Sequence, residues 1–347
     1  MNRANPYSIN FGLLPHSFIE RDIERDEIIG NFTADTPSCR LYMISGIRGS
    51  GKTVTMTDIE NSFRKMKDWI VIDLNPETDL LEALAAELSN NSSTAQIFKD
   101  AKINLSALGL GFEIDGVPPL TSYTAALDQM LSRLSKKCKK ILITIDEVSS
   151  NQNIKIFVSQ FQIFLRKNYP VFMIMTGLHE NIYNLQDEKT LTFLYRAPKI
   201  KTRPLNIHRI ARNYSETFNL SDDIALKMAA ITKGYPYAFQ VLGYVCYKFN
   251  KPYDELLDEF DLYMEDYVYS KIWSELTVTD RRTLRGLCFS ENGVAESIRK
   301  YTGQNQNQYN KSRASLIKKE LIESVGYGRI DFTLPRFKEF ILKKEDL

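Results

Sequence analysis

Residues 46–53 read GIRGSGKT, and this stretch decides how the rest of the chain is read. It fits G-x-x-x-x-G-K-[ST] at every fixed position, with Gly46, Gly51, Lys52 and Thr53 filling them. The apolar run RLYMIS (40–45) precedes it and the helical pattern VTMTDIENSFRKMKDW follows. A strand before and a helix after is the context that gives this pattern its meaning. Glycines at such a turn let successive backbone N–H groups converge on phosphate oxygens, and the helix N-terminus adds the positive end of its dipole. Gly46, Arg48, Gly49, Ser50, Gly51, Lys52, Thr53 and Val54 are therefore expected to cradle the phosphates of ATP or ADP. Lys52 would reach the β- and γ-phosphates and act in catalysis, and the Thr53 hydroxyl would hold Mg2+. As local structure alone, the same stretch is a glycine-rich turn carrying a surface lysine.

Three further runs, WIVIDL (69–74), ILITID (141–146) and VFMIMT (171–176), are short, β-branched and nearly continuous in apolar residues. Such runs suit parallel strands buried on both faces. Helical patterns alternate with them, which predicts a three-layer α/β domain of the P-loop NTPase class. ILITIDE delivers Asp146 to the C-terminal edge of that sheet, where ligands of open α/β sheets sit. Asp146 is expected to organise Mg2+ together with Thr53, and Glu147 to polarise the attacking water as a general base. An acidic pair after a strand can also do no more than cap the next helix. Thr176 ends a strand expected between the P-loop strand and the Asp146 strand, so its hydroxyl is a candidate catalytic contact to the γ-phosphate or the water. It also fits as a plain strand-ending threonine. INLSALGLGFEIDGVPP (103–119), with three glycines and two prolines, reads as an inserted hairpin or loop.

The chain has 347 residues, 43% apolar and 25% charged, with a net charge of +2. That length predicts more than one domain, and the charge balance as a whole predicts no polyanion partner. Four scattered cysteines without CxxC spacing argue against zinc and disulfide frameworks and for reduced thiols. The N-terminus lacks an uninterrupted apolar h-region and no run reaches membrane-spanning length, so a cytoplasmic protein without a membrane partner is expected.

Beyond residue 205 the pattern turns helical. TVTDRRTLRGLCFS, GVAESIRKYTG and NQYNKSRASLIKKELIES read as three helices, and VGYGRIDFTLP as two strands around a glycine turn. That is the element order of a winged helix-turn-helix. The predicted division is a nucleotide-binding domain (1–203), a helical lid (204–272) and a winged helix (273–347). Residues 276–347 hold 14 basic and 9 acidic residues, leaving the rest of the chain net negative. Basic charge gathered on one small domain is the footprint of phosphate contact. Ala314, Ile317 and Leu321 are expected to pack inward. Gln308, Lys311, Ser312 and Ser315 would then face duplex DNA, with Tyr327 and Arg329 on the wing. A winged helix that docks on protein accounts for the same residues.

The chain resembles the origin-recognition-like AAA+ ATPases of the STAND type, the archaeal-ATPase relatives found in prokaryotes. The resemblance rests on NPYSINFGLLPHSFIERD, the P-loop, ITIDE, MTGLHE, LYRAPKIKTRPL, TKGYPYAFQ, LIKKELI and GYGRIDFTLPRF, which together span nearly the whole sequence. It implies an AAA+ (ASCE) core followed by a helical lid and a winged helix. It also implies base contacts from Pro6, Tyr7, Pro15 and Phe18, and a nucleotide-facing lid segment at Tyr235 and Pro236. Arg196 stands where relatives carry an arginine finger reaching a neighbouring subunit's nucleotide, which implies a homo-oligomer. One departure is plain: where many relatives place a lid arginine, this chain has Tyr237, Ala238 and Phe239. The expected activity is a slow, Mg2+-dependent ATP hydrolysis that controls the terminal domain. The alternative expectation is a signalling switch acting on protein.

Overall fold

A computed structural model describes residues 4–10, 14–111 and 113–344. The chain divides into two compact units. One, the sheet unit, comprises Asp22–Ser45 and Lys52–Lys201; the other, the helical unit, takes in the described parts of Met1–Arg21, Gly46–Gly51 and of Thr202–Leu347.

The sheet unit runs α1 (Asp22–Thr33), β1 (Leu41–Ser45), α2 (Lys52–Arg64), β2 (Trp69–Asp73), α3 (Leu80–Asn90) and α4 (Ser92–Asp100). It continues with α5 (Tyr123–Lys136), β3 (Lys140–Ile145), α6 (Gln152–Arg166), β4 (Val171–Gly177), α7 (His179–Gln186) and β5 (Lys199–Lys201). The strands form one parallel sheet in the order β2-β3-β4-β1-β5. The four apolar runs of the sequence are four of these strands, and β4 lies between β1 and β3 as expected. Successive side chains of a strand point to opposite faces, and both faces are covered. Met43, Ile72, Ile143 and Met173 pack with α3, α5 and α6, whereas Tyr42, Ile44, Leu142 and Ile174 pack with α1 and α2. Among its described residues the glycine-rich insert carries one 3-10 turn, Ser106–Leu108, and no strand. Of the hairpin and loop readings, the loop stands.

The helical unit contains α8 (Ile207–Phe218), α9 (Asp222–Ile231), α10 (Pro236–Phe249), α11 (Leu257–Met264), a π turn at Glu265–Tyr269 and α12 (Ser270–Ser274). The terminal segment adds α13 (Val278–Phe289), α14 (Ala295–Thr302), α15 (Gln306–Lys318), the antiparallel hairpin β6 (Ile322–Gly326) with β7 (Arg329–Phe332), and α16 (Phe337–Lys343). The predicted boundary at 272/273 is not a boundary here. Tyr269 and Trp273 on one side of it share a single apolar core with Leu284, Phe337 and Phe340 on the other. The two units part between Lys201 and Thr202, and the segments up to Arg21 and Gly46–Gly51 belong to the helical unit and not to the sheet unit. The sequence reading also missed α16. Its apolar residues Phe337, Phe340 and Ile341 have helical spacing but fill only seven positions. The helix is fixed by Arg336, whose guanidinium grips Asp261 in a bidentate pair at 2.6 and 2.7 Å.

Candidate functional site

In the sheet unit, three side chains and one backbone amide meet at the C-terminal edge of the sheet. α2 opens at Lys52, so Thr53 sits in its first turn. The Thr53 hydroxyl donates to Asp146 Oδ2 at 2.7 Å. Asp146 directly follows Ile145, the last residue of β3. Its other oxygen, Oδ1, accepts from the Thr176 hydroxyl and from the Glu147 amide, the latter at 3.0 Å. Glu147 itself has φ +52, a left-handed conformation that costs a non-glycine residue roughly 1–2 kcal/mol. Its amide reaches both Asp146 and, at 3.3 Å, Thr176 Oγ1. The next amide, of Val148, donates to the Thr176 carbonyl at 2.8 Å. The turn is over-determined, which is how such a conformation persists at functional sites. It leaves the Glu147 carboxylate exposed.

This geometry corrects the role expected of Thr176. The residue is fully buried and its one hydroxyl proton is committed to Asp146. It holds the acid and the turn after it, and does not present a donor to a phosphate. Two acids that the sequence reading passed over lie alongside. Asp73 ends β2 in register with Thr144, whose hydroxyl donates to it at 3.3 Å. Glu60 on α2 is buried. Burial raises the pKa of both, with the neighbouring Asp146 charge raising Asp73 further and the Asp73 charge raising Glu60. A visible signal existed: WIVID ends in an aspartate as ILITID does.

A hydroxyl and a carboxylate at adjacent positions are hard oxygen donors, suited to Mg2+. That ion takes one or two carboxylates and keeps waters or phosphate oxygens in its remaining positions. Among the described residues no group of three or more His, Cys, Asp or Glu is placed to hold a metal by itself. The fit is thus to a cation arriving with phosphates, and not to an all-protein cage.

In the helical unit, the loop Gly46–Gly51 lies against the start of α10. A Cβ on Gly49 would stand 2.3 Å from the Tyr235 hydroxyl, and one on Gly46 would stand 1.9 Å from Thr202 Oγ1. Gly49 and Gly51 have φ of +72 and +85. Gly49 is required by space and backbone together, Gly46 by space and Gly51 by backbone. Tyr235 is buried, and its hydroxyl donates to the Arg48 carbonyl. The expectation that Tyr235 faces nucleotide is therefore corrected: its polar end is spent on loop backbone. Pro236 occupies the first turn of α10 and lies 3.6 Å from a Cβ built on Gly51.

Tyr7 is likewise corrected. It is 2% exposed, stacked on Phe218 at 5.8 Å and met edge-on by Phe239 at 5.5 Å. Its hydroxyl donates to Asn213 Oδ1 at 2.8 Å. No face of that ring remains for a base. Pro15 in the same arm is buried, while Pro6 and Phe18 are half-buried. Arg196 ends the turn Thr192–Arg196 in the sheet unit and is exposed.

Around α15 the predicted inward face holds in part, with Leu321 buried and Ile317 packed against the core. Tyr309, Ser312 and Leu316 point inward, and Ala314 is exposed. Ser312 and Ser315 donate to the two oxygens of buried Asp280 at 2.9 and 3.1 Å, so neither faces outward for DNA. The cause is polar: a buried acid on α13 requires donors, and the serines supply them where apolar periodicity predicted a solvent face. Gln308 is exposed but is the third helical residue of a capping box with Asn305. Lys311, Tyr327 and Arg329 are exposed, the last two on the hairpin. No helix among the described residues is long and apolar enough to cross a membrane.

The fold matches solved structures over nearly its whole length. A Walker-type ATPase of Pyrococcus abyssi superposes with a TM-score of 0.64 at 16% identity, covering 94% of this chain and 96% of that one. The ORC2 protein of Aeropyrum pernix, in ADPNP and ADP complexes, gives 0.61 at 11% identity, covering 96% and 95%. At such identities the likeness is one of fold: an α/β P-loop ATPase sheet with a helical C-terminal region. A family profile described as a domain of unknown function (DUF8462) matches residues 266–341. No curated protein matches the sequence.

Proposed function

We propose that the chain binds ATP with Mg2+ and hydrolyses it slowly to ADP and phosphate. The observation carrying this reading is the Thr53–Asp146 hydrogen bond of 2.7 Å, which joins the residue after the GK of the loop motif to the acid ending β3. Fold likeness to a Walker-type ATPase, and to a protein seen with ADPNP and ADP, supports it. Gly46, Arg48, Gly49, Ser50, Gly51, Lys52 and Val54 would cradle the phosphates. Thr53 and Asp146 would hold the cation, which when bound neutralises charge on the β- and γ-phosphate oxygens. Glu147 would take a proton from the attacking water as the bond to the bridging oxygen breaks. Thr176 keeps Asp146 and the Glu147 turn in place. Glu147→Gln is expected to bind nucleotide as the native protein does while losing about 10²-fold or more in phosphate release, the scale for a general base. Undiminished turnover would remove Glu147 from the chemistry.

The nucleotide state is proposed to govern contact between the terminal segment and duplex DNA, through Lys311, Tyr327 and Arg329. What supports this is the basic excess of residues 276–347 together with the exposure of these three. Part of that excess is internally paired: Lys319 to Asp280, Arg336 and Lys343 to Asp261, and Lys344 to Glu265. DNA contact therefore rests on few side chains, and its test is the salt dependence of duplex binding. Exposed Arg196 is proposed to act in a neighbouring copy's site, to be checked by the protein-concentration dependence of specific turnover.

A further inference from the structure

The helical unit grips the glycine loop by its backbone. Three consecutive loop carbonyls accept hydrogen bonds from it. Arg48 O takes the Tyr235 hydroxyl. Gly49 O takes the Tyr237 amide at 3.1 Å, and Ser50 O takes the Arg21 guanidinium at 3.1 Å. A fourth tie joins side chains, Arg48 to Glu275 at 3.1 Å. A trans peptide is planar, with its N–H antiparallel to its C=O. Fixing the carbonyls of residues 48–50 therefore fixes the directions of the amides of Gly49, Ser50 and Gly51. Those are the amides the loop motif offers to phosphate. At present the Ser50 amide closes a long 3.3 Å turn onto Ile47 O.

Two of the donors, Tyr235 and Tyr237, and the acceptor Glu275 are themselves held. Tyr235 is 5% exposed, and burial pushes its pKa well up, so its hydroxyl remains a donor. Tyr237 is the second residue of α10, and a helix start leaves its first amides without intrahelical partners. The loop carbonyl and the helix start satisfy each other. Glu275 lies directly after α12 and two residues ahead of Thr277, which caps α13 through the Asp280 amide. The side-chain tie thus links the loop to the root of the terminal segment.

We propose, resting on the reading that this loop holds ATP, that Tyr235 and Arg21 are positioning residues. They preset the loop amides for phosphate without touching the nucleotide. The test is calorimetric titration of the full chain with ADP–Mg2+ at 25 °C, with thermal melts of each variant. Tyr235→Phe keeps the ring and should raise Kd about tenfold, the scale of one lost buried hydrogen bond. Arg21→Gln, at a half-buried site, should raise it severalfold with little change in melting. A tyrosine with a purely structural role would lower the melting temperature and leave Kd alone. If both variants bind ADP as the native chain does, the grip is not a positioning device, while the ATP reading stands. Should Tyr235→Phe fail to fold, an unchanged Kd in Arg21→Gln overturns the proposal on its own. A native chain that takes up neither ADP nor ATP overturns the ATP reading, and this proposal with it.

Discussion

Two aspartates of this molecule invite comparison, because each accepts hydrogen bonds from two hydroxyls and one further donor. Asp146 takes Thr53, Thr176 and the Glu147 amide. Asp280 takes Ser312, Ser315 and the Lys319 ammonium, the last at 3.2 Å. Their composition is nearly the same and their settings are opposite. Asp280 is 2% exposed, sealed between α13 and α15, and its charge is neutralised inside the cluster. Asp146 is half-exposed at the edge of a sheet, beside an exposed Glu147 on a strained turn, and the three donors it accepts from are two hydroxyls and an amide. A carboxylate ringed by hydroxyls is thus no site by composition. It becomes one where strand ends deliver it to an open edge and its charge is left for something else to balance.

That contrast can be broken by substitution. The largest effect is expected at Asp146→Asn, which should abolish the Mg2+ dependence of ADP affinity and lower phosphate release by about 10²-fold or more, the range of a lost charge contact at the phosphates. Persistent Mg2+ dependence in a titration would put the cation elsewhere. Asp280→Ala should instead cost about 3 kcal/mol of stability, because Lys319 and two hydroxyls lose their buried partner, and should leave turnover intact at temperatures where it is folded. Chemical denaturation measures the first and a phosphate-release assay the second; lost turnover in a folded Asp280→Ala protein would erase the distinction. Lys311→Ala is subtler. It should lower the slope of log affinity against log salt for duplex DNA by about 1, and an unchanged slope would take α15 off the DNA. The smallest effect concerns Glu60. Its pKa is raised on folding by burial, so its favourable contribution is complete below the ordinary carboxylate range and fades as pH climbs through the folded pKa. Glu60→Gln should therefore melt higher than the native chain by a margin that widens from acidic to neutral pH. A margin constant with pH would show that Glu60 titrates normally.

The sheet and Asp146 at its edge were legible because the code there is local. RLYMIS, ILITID and VFMIMT announce buried strands by composition alone, and a motif of fixed spacing then names the residues at their ends. What failed was each assignment that depended on which way a side chain faces once packed. Tyr7 belongs to an aromatic cluster built with Tyr214, Phe218 and Phe239, some two hundred residues away in sequence. Ser312 and Ser315 turn inward to satisfy Asp280, a demand invisible to a search for apolar periodicity. Tyr235 was expected at the nucleotide because the family resemblance implied it, whereas its hydroxyl is drawn to a carbonyl of the loop. Long-range aromatic packing decided the first of these and long-range polar satisfaction the others, and no window of neighbouring residues contains either.

The helical unit is discontinuous in the chain: Tyr7 closes onto Phe239 and Tyr214, and its short arm is separated from them by the entire sheet unit. On a ribosome adding roughly 5–20 residues per second, the arm emerges on the order of 10–40 s before its partners exist. The sheet unit can be complete within that interval, and the arm must wait unpaired. Order of synthesis thus makes the grip on the glycine loop, which needs Arg21 and Tyr235 together, one of the last features the nascent chain acquires.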